Sequence, residues 1–285
     1  MAGFWLALAC LLDFGFAQLF KAAQRVGARP AVVVSTNYLT LSAALAIFLA
    51  VRGQLALTGG IAMVGVVAGC VFICSMTIMT RSLERANVAV VLTAFRMAIV
   101  VPIVAGVLIW SEPVGSLQLL GLLLAIVGLF LITRGAKTTK GKGVTLPLLV
   151  VAGVFLAQGA SHTCLRWVRH AGLDEQKLNV LLVIGLTAGG LGAVLAGASG
   201  IRPCRKDLLV GAGIGLFNLI ALFAVLSALG RFDAAVFFPT IACVTVVLDS
   251  ASAHFFWKER LGTTAWIGVA IAVLAVILVL IRVGA

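Results

Sequence analysis

The sequence predicts an all-α membrane protein with ten transmembrane helices, arranged as two five-helix repeats of inverted topology. Of the 285 residues, 62% are hydrophobic and only 11% are charged, whereas soluble proteins average about 45–50% and about 25%. A soluble protein of this size could not cover so much apolar surface. Short polar, Pro or Gly breaks divide the chain into stretches near the length of about 20 residues that crosses a bilayer. The two halves of the chain also resemble each other.

The ten predicted helices follow one another with short connections. They lie near 2–20, 31–51, 57–79, 87–110, 115–133, 145–167, 177–198, 207–229, 233–256 and 262–282. The first stretch contains Asp13 and lacks a basic start and a convincing cleavage site, so it is predicted to be a retained span and not a signal peptide. We predict a first repeat over 1–135, a basic linker over 136–144 and a second repeat over 145–285.

The repeat is visible as matching residues at a nearly constant separation. Glycines and the Trp and Glu that precede the last helix of each half recur in pairs: Gly65 with Gly211, Gly69 with Gly215, Arg85 with Arg231, Trp110 with Trp257, Glu112 with Glu259, and Gly121 with Gly268. A unit with an odd number of helices inserts its second copy in the opposite orientation. Inverted repeats of this kind are typical of secondary transporters, whose substrate site lies near the midplane between the repeats.

The matched segments resemble the EamA-like branch of the drug/metabolite transporter superfamily. They run from Leu108-Ile-Trp-Ser-Glu-Pro to Gly121, and from Phe256-Trp-Lys-Glu-Arg to Gly268. The resemblance covers nearly the whole chain. It implies transport of a metabolite, in a family that moves amino acids, sugars, nucleotide sugars, drugs and lipid-linked precursors.

A related four-helix multidrug family keeps an acidic residue in its first helix for proton coupling. Asp13 lies in the similar place, while the second repeat has Gln158 near the equivalent position. Any such carboxylate would therefore be single. Asp13 is our candidate for coupling transport to a proton gradient, and the alternative is an ion pair with Lys21 or Arg96.

Three ionisable residues lie inside predicted spans, where they are costly and usually serve function. These are Asp13, Arg96 and Asp249. With a rise of about 1.5 Å per residue, they and Tyr38 lie at a similar depth of roughly 10–14 Å from one membrane face. A guanidinium suits a carboxylate or phosphate, and a carboxylate suits an ammonium or sugar hydroxyls. The structural alternative is that Arg96 and Asp249 neutralise each other and hold two helices together.

Polar residues at helical spacing predict a wet central cavity. Thr245, Asp249 and Ser252 share one face of the ninth helix, and another stripe follows the sixth helix from Gln158. His162 in that stripe is interpreted as a hydrogen-bonded cavity residue and not as a metal ligand. Asn218 either lines the cavity or bonds to a neighbouring helix. The predicted substrate-binding residues are Asp13, Tyr38, Arg96, Gln158, His162, Asn218, Thr245 and Asp249.

Several other residues are expected to be structural. Glu112 and Glu259 are predicted to cap the helices that follow them, and the two GxxxG pairs to let helices approach closely. Pro102 and Pro239 are predicted to bend the fourth and ninth helices.

The distribution of the basic residues predicts the orientation of the chain in the membrane and does not indicate a nucleic-acid partner. The net charge is +12, but most of the 21 Lys and Arg residues lie in alternate loops, so nucleic-acid binding is not expected. The positive-inside rule puts both termini outside, whereas many members of the family are drawn with both termini inside.

We expect no enzyme activity, cofactor or metal, because the chain contains no GxxxxGK[ST] or HExxH motif. The leading prediction is a secondary transporter of a small charged or zwitterionic metabolite in the cell membrane, such as an amino acid. The alternatives are a flippase for a lipid-linked precursor, or an exporter of nucleotide sugars or drugs. The expected partners are the lipid bilayer and a small-molecule substrate, and a monomer is compatible with the sequence.

Overall fold

The computed structural model describes residues 2–111, 115–135, 145–229, 234–259 and 261–280. These residues form helices and turns, without a strand. The α-helices are α1 (Ala2–Arg25), α2 (Pro30–Val51), α3 (Gly59–Arg85), α4 (Val88–Met97), α5 (Val100–Trp110), α6 (Ser116–Gly135), α7 (Thr145–His170), α8 (Lys177–Ala198), α9 (Arg205–Leu229), α10 (Ala234–Phe255) and α11 (Thr263–Leu280). A 3₁₀ turn (Asp174–Gln176) precedes α8.

The apolar helices are consistent with a multi-pass membrane protein. Among the described residues, seven helices are long and apolar enough to cross a membrane when α4 and α5 are counted together as Val88–Trp110. Three further apolar helices are shorter, at Leu119–Gly135, Thr240–Phe255 and Thr263–Leu278. The prediction of an all-α chain is confirmed, and the number of membrane crossings stays a prediction.

The fourth predicted helix is divided into α4 and α5 by two residues, Ala98 and Ile99. Pro102 has no N–H to donate to the carbonyl of Ala98, and that carbonyl instead accepts a hydrogen bond from the N–H of Val101 at 3.0 Å. The helix is therefore interrupted just before Pro102, and the predicted bend there stays a prediction. In contrast, α10 continues through Pro239 without a break.

The chain forms two compact units, and both halves of the sequence contribute to each. The first unit comprises Met1–Gln18, Ser82–Gly159 and Ala221–Ala285, and the second comprises Leu19–Arg81 and Ala160–Ile220. The predicted repeats divide the chain differently and stay a prediction. The proposed linker 136–144, Glu112 and Arg231 lie outside the described residues.

In the second unit, the GxxxG pair of α3 packs directly against α8. A Cβ atom built on Gly65 would lie 2.6 Å from the Cβ of Val183, and one built on Gly69 would lie 2.6 Å from the Cβ of Thr187. Real Cβ atoms do not approach this closely, so only glycine lets the two backbones meet here. The predicted packing role of this pair is confirmed.

The GxxxG pair of α9 packs against α2 in the same way. A Cβ on Gly211 would lie 2.6 Å from the Cβ of Thr36, and one on Gly215 would lie 2.7 Å from the Cβ of Thr40. Each half of the sequence therefore places its glycine pair on a helix of the other half.

Polar side chains hold the loops of the second unit. The Asn179 side chain accepts a hydrogen bond from the N–H of Ala56 at 3.0 Å and donates one to the carbonyl of Gln54 at 3.1 Å. The buried carboxylate of Asp207 accepts from the N–H of Arg29 at 3.0 Å and from the N–H of Cys204 at 3.3 Å. Both side chains satisfy backbone groups that would otherwise lack a partner near a helix end.

In the first unit, α6 and α11 are in backbone contact. A Cβ on Gly128 would lie 2.9 Å from the backbone nitrogen of Ala272, and one on Gly268 would lie 2.9 Å from the carbonyl oxygen of Gly128. The N–H of Gly262 also donates to the carbonyl of Gly135 at 3.0 Å. In the same unit, α10 packs against both α4 and α11.

Candidate functional site

The first unit brings together the three ionisable residues predicted inside spans. Asp13 on α1, Arg96 on α4 and Asp249 on α10 form one ion network, which we call the charged triad. Nη1 of Arg96 lies 2.6 Å from Oδ2 of Asp13, and its Nε lies 3.1 Å from Oδ2 of Asp249. Nη2 of Arg96 also donates to the main-chain carbonyl of Asp13 at 3.0 Å. The guanidinium thus connects α1, α4 and α10.

The two carboxylates of the triad differ in burial. The side chain of Asp249 is 0% exposed and that of Arg96 is 9% exposed, whereas that of Asp13 is 29% exposed. Arg96 carries one positive charge against two carboxylates. The triad therefore has one negative charge in excess when both carboxylates are ionised, and Asp13 is its accessible member.

A second set of hydrogen bonds fixes Asp249 from the other side. Nε2 of Gln18 on α1 donates to Oδ1 of Asp249 at 2.8 Å. Oε1 of Gln18 accepts from Nε1 of Trp257 at 2.6 Å and from Oγ of Ser252 at 3.1 Å. Both oxygens of Asp249 consequently have a donor.

Gln18 is the residue that the sequence reasoning missed. The first helix was predicted to end near residue 20, which would put Gln18 in its last turn, but α1 continues to Arg25. An amide in an apolar helix carries no charge, so it is less conspicuous than an acid. A polar amide within an apolar helix is nevertheless the signal that could have identified Gln18.

Two other predicted site residues belong to the first unit. Thr245 lies one turn before Asp249 on α10, and its buried hydroxyl donates to the carbonyl of Ile241 at 2.8 Å. This bond within its own helix is common for threonine in helices. Gln158 is buried on α7.

Three predicted site residues belong to the second unit. Tyr38 is buried on α2, His162 is half-buried on α7, and Asn218 lies on α9. Nδ2 of Asn218 is 3.5 Å from Oδ1 of the buried Asn37, which favours the helix-bonding alternative for Asn218. The predicted common depth of Tyr38 and the charged triad stays a prediction.

Glu259 caps a helix, but a different one from the helix predicted. Its Oε1 accepts from the N–H of Val88 at 2.8 Å, and its Oε2 accepts from the N–H of Ala89 at 3.3 Å. These groups are at the start of α4, which is distant from Glu259 in sequence. The prediction that Glu259 caps the helix that follows it was therefore wrong. Lys258 has a left-handed φ of 56°, and so makes the turn that precedes Glu259.

Removing this cap is expected to destabilise the helix that carries Arg96. Glu259→Ala leaves two N–H groups at the start of α4 without their acceptor, which costs about 0.5–2 kcal/mol for a typical cap. Glu259→Gln keeps one oxygen acceptor and should lose less. The midpoint of thermal unfolding in detergent measures both. Glu175→Ala is the control because Glu175 is exposed, and equal midpoints for Glu259→Ala and this control would contradict the role.

No family model and no curated protein matches this sequence. A solved structure described as "Crystal structure of protein" matches with a TM-score of 0.62 and 16% sequence identity, covering 97% of this chain and 95% of that chain. At this identity the likeness shows a shared fold alone. The resemblance to the EamA-like family stays a prediction.

Proposed function

We propose that the chain is a secondary transporter of a small polar metabolite that carries a charged group, working by alternating access. The observation that carries this proposal is the charged triad within apolar helices. Ionisable groups at such depth are expensive, and they mark substrate or ion pathways in membrane proteins. The same reasoning supports placement in a membrane with many crossings, which we propose to be the cell membrane.

The charge balance of the triad favours function over a purely structural ion pair. A pair that only fixed α4 against α10 would need Arg96 and Asp249 alone. Asp13 adds a second carboxylate, which is the more exposed of the two. The excess negative charge can be balanced by a proton or by a cationic group of a substrate, while a substrate carboxylate can replace Asp13 on Arg96.

The architecture that we propose is ten spans in two inverted repeats, as in the EamA-like family. In this scheme α2 corresponds to α8, α4 to α10 and α6 to α11, and each helix packs against its counterpart. Contacts between equivalent elements are what a two-fold relation produces. The reciprocal glycine contacts of α3 with α8 and of α9 with α2 support the same relation.

The energy for transport would come from a gradient, and we propose Asp13 as the proton-coupling carboxyl. Purified protein is first screened by thermal shift against amino acids, sugars, nucleotides and polyamines, because a ligand of the native state raises its unfolding midpoint. Uptake of a stabilising solute is then measured in proteoliposomes with and without an imposed pH gradient. We expect the pH gradient to stimulate uptake by the wild type. The same gradient should leave the uptake rate of Asp13→Asn unchanged.

Glu175→Gln provides the matched control, since it removes an exposed carboxylate outside the triad. If no solute is taken up and no labelled lipid crosses the bilayer, the transporter proposal fails. Uptake by the wild type that ignores the pH gradient would instead exclude proton coupling and keep transport.

A flippase is the second candidate, favoured by one cluster of cations. Arg29 donates to the backbone carbonyl of Arg202, and Lys206 at the start of α9 donates to the backbone carbonyl of Val26. Exposed basic side chains at this place suit a lipid phosphate. Transbilayer movement of a labelled anionic lipid without uptake of any soluble solute would favour this candidate.

A further inference from the structure

The direction of the hydrogen bonds around Gln18 can be read from one donor. The indole N–H of Trp257 can only donate, so the atom of Gln18 that faces it at 2.6 Å must be the amide oxygen. The hydroxyl of Ser252 lies 3.1 Å from the same oxygen. The amide nitrogen of Gln18 is therefore the atom that faces Asp249.

This orientation requires Asp249 to accept a hydrogen bond at each of its two carboxylate oxygens. Oδ1 of Asp249 faces the amide nitrogen of Gln18 at 2.8 Å, and Oδ2 faces Nε of Arg96 at 3.1 Å. Both of these nitrogens donate and neither accepts. A proton on either oxygen of Asp249 would weaken the hydrogen bond at that oxygen. The nitrogen on the other side of that bond could not accept the proton, because it is itself a donor. The fully buried Asp249 is thus held as an acceptor at both oxygens.

Among the described residues, the two helices that pack most extensively against α10 bring one charge to it, that of Arg96. α10 packs against α4, whose one charged residue is Arg96, and against α11, which has none. The titratable neighbour on α10 itself is His254, whose ring is near those of Phe255 and Trp266. Asp13 reaches the same guanidinium from α1.

Asp13 is held in a different way from Asp249. Its Oδ2 accepts from Nη1 of Arg96, and its Oδ1 has no hydrogen-bond donor among the described residues. Its side chain is 29% exposed, against 0% for Asp249. Asp13 can therefore leave Arg96, and the buried group that then loses an acceptor is the guanidinium of Arg96.

We propose that Gln18 is a positioning residue, which keeps Asp249 as the ionised partner of Arg96 and leaves Asp13 as the carboxyl that exchanges its partner. Gln18 acts through Asp249, and Trp257 sets the orientation of Gln18. The meaning of the exchange for transport rests on the proposed function. The charge state of Asp249 does not, and it can be measured without any substrate.

Infrared spectroscopy of the purified full-length chain tests the proposal, since a protonated carboxyl has its own carbonyl band. During acid titration, the band of Asp249 is identified as the one that is absent from Asp249→Asn. In Gln18→Leu, Asp249 loses one charge-assisted donor. The proton concentration that half-protonates Asp249 should then fall about tenfold or more.

Two further variants separate positioning from a general loss of structure. Ser252→Ala removes one donor to Gln18 but leaves the indole N–H of Trp257, so its titration should match the wild type. Trp257→Phe removes the donor that fixes the amide, and should shift Asp249 in the same direction as Gln18→Leu. Unfolding midpoints in detergent confirm that each variant is folded.

The proposal is overturned if folded Gln18→Leu or folded Trp257→Phe titrates like the wild type. Trp257→Phe tests the same orientation of the Gln18 amide, so a failure of Gln18→Leu to fold leaves a decisive measurement. The expected bands in a protein that moves no solute would reject the proposed function and keep the role of Gln18.

Discussion

Arg96→Ala is expected to abolish transport, lowering the uptake rate at least about a hundredfold. The guanidinium makes hydrogen bonds to both carboxylates of the charged triad, and each charge-assisted bond contributes about 1.5–3 kcal/mol. Without Arg96 the charged triad loses its positive charge and the side chain of α4 that joins α1 to α10. The protein should still reach the membrane folded, because carboxyls that lose their partner can bind protons. Uptake in proteoliposomes and the amount of folded protein recovered are the measurements.

Two matched variants define what this loss means. Arg96→Lys keeps the charge but not the planar set of donors, so it should retain only part of the transport activity. Arg52→Ala removes an exposed arginine from the end of α2 and should leave uptake unchanged. Asp249→Ala is expected to abolish uptake as Arg96→Ala does. Rates like those of the wild type in Arg96→Ala and Asp249→Ala would reject the assignment of the triad to substrate.

Gly128→Ala is expected to lower the free energy of unfolding by about 1–3 kcal/mol, the cost of overpacking a tight interface. The added Cβ would lie 2.9 Å from the backbone nitrogen of Ala272 and 3.1 Å from the carbonyl oxygen of Gly268. Both are backbone atoms of α11, so no side chain can move aside to make room. Relief requires α6 and α11 to separate, which also weakens the contacts beside them.

Gly190→Ala is the control for this substitution. Gly190 lies within α8, and a Cβ there meets nothing within 4 Å. Alanine also favours a helix over glycine by about 0.5–1 kcal/mol, so this variant should be unchanged or slightly more stable. The two unfolding midpoints in detergent are compared directly. A midpoint for Gly128→Ala at or above that of Gly190→Ala would contradict the close contact of α6 and α11.

The helices were predictable because their signal is local. Apolar stretches bounded by Pro, Gly and charge indicate where a helix begins and ends, and Pro102 indicates where one is interrupted. The end of α1 was less predictable, since Lys21 and Arg25 suggested a loop where the helix continues. Long basic side chains can extend toward water from a helix end, so they do not terminate a helix by themselves.

The charged triad was predictable for a different reason. Asp13, Arg96 and Asp249 are conspicuous because ionisable residues are rare in apolar stretches. Both ion pairs, Asp13 with Arg96 and Arg96 with Asp249, were among the alternatives, but nothing in the local sequence says that one guanidinium holds both carboxylates at once. The hydrogen bond from Gln18 to Asp249 and the cap that Glu259 forms on α4 join residues that are distant in sequence. The periodicity of the sequence cannot reveal such pairs.

The reciprocal glycine contacts have a consequence for how this protein must be made. The small-residue face of α3 meets α8, and that of α9 meets α2, while Glu259 satisfies the start of α4. Each half of the chain therefore packs a glycine face against a helix of the other half. A chain cut between the two halves would leave the glycines of α3 without α8 and those of α9 without α2.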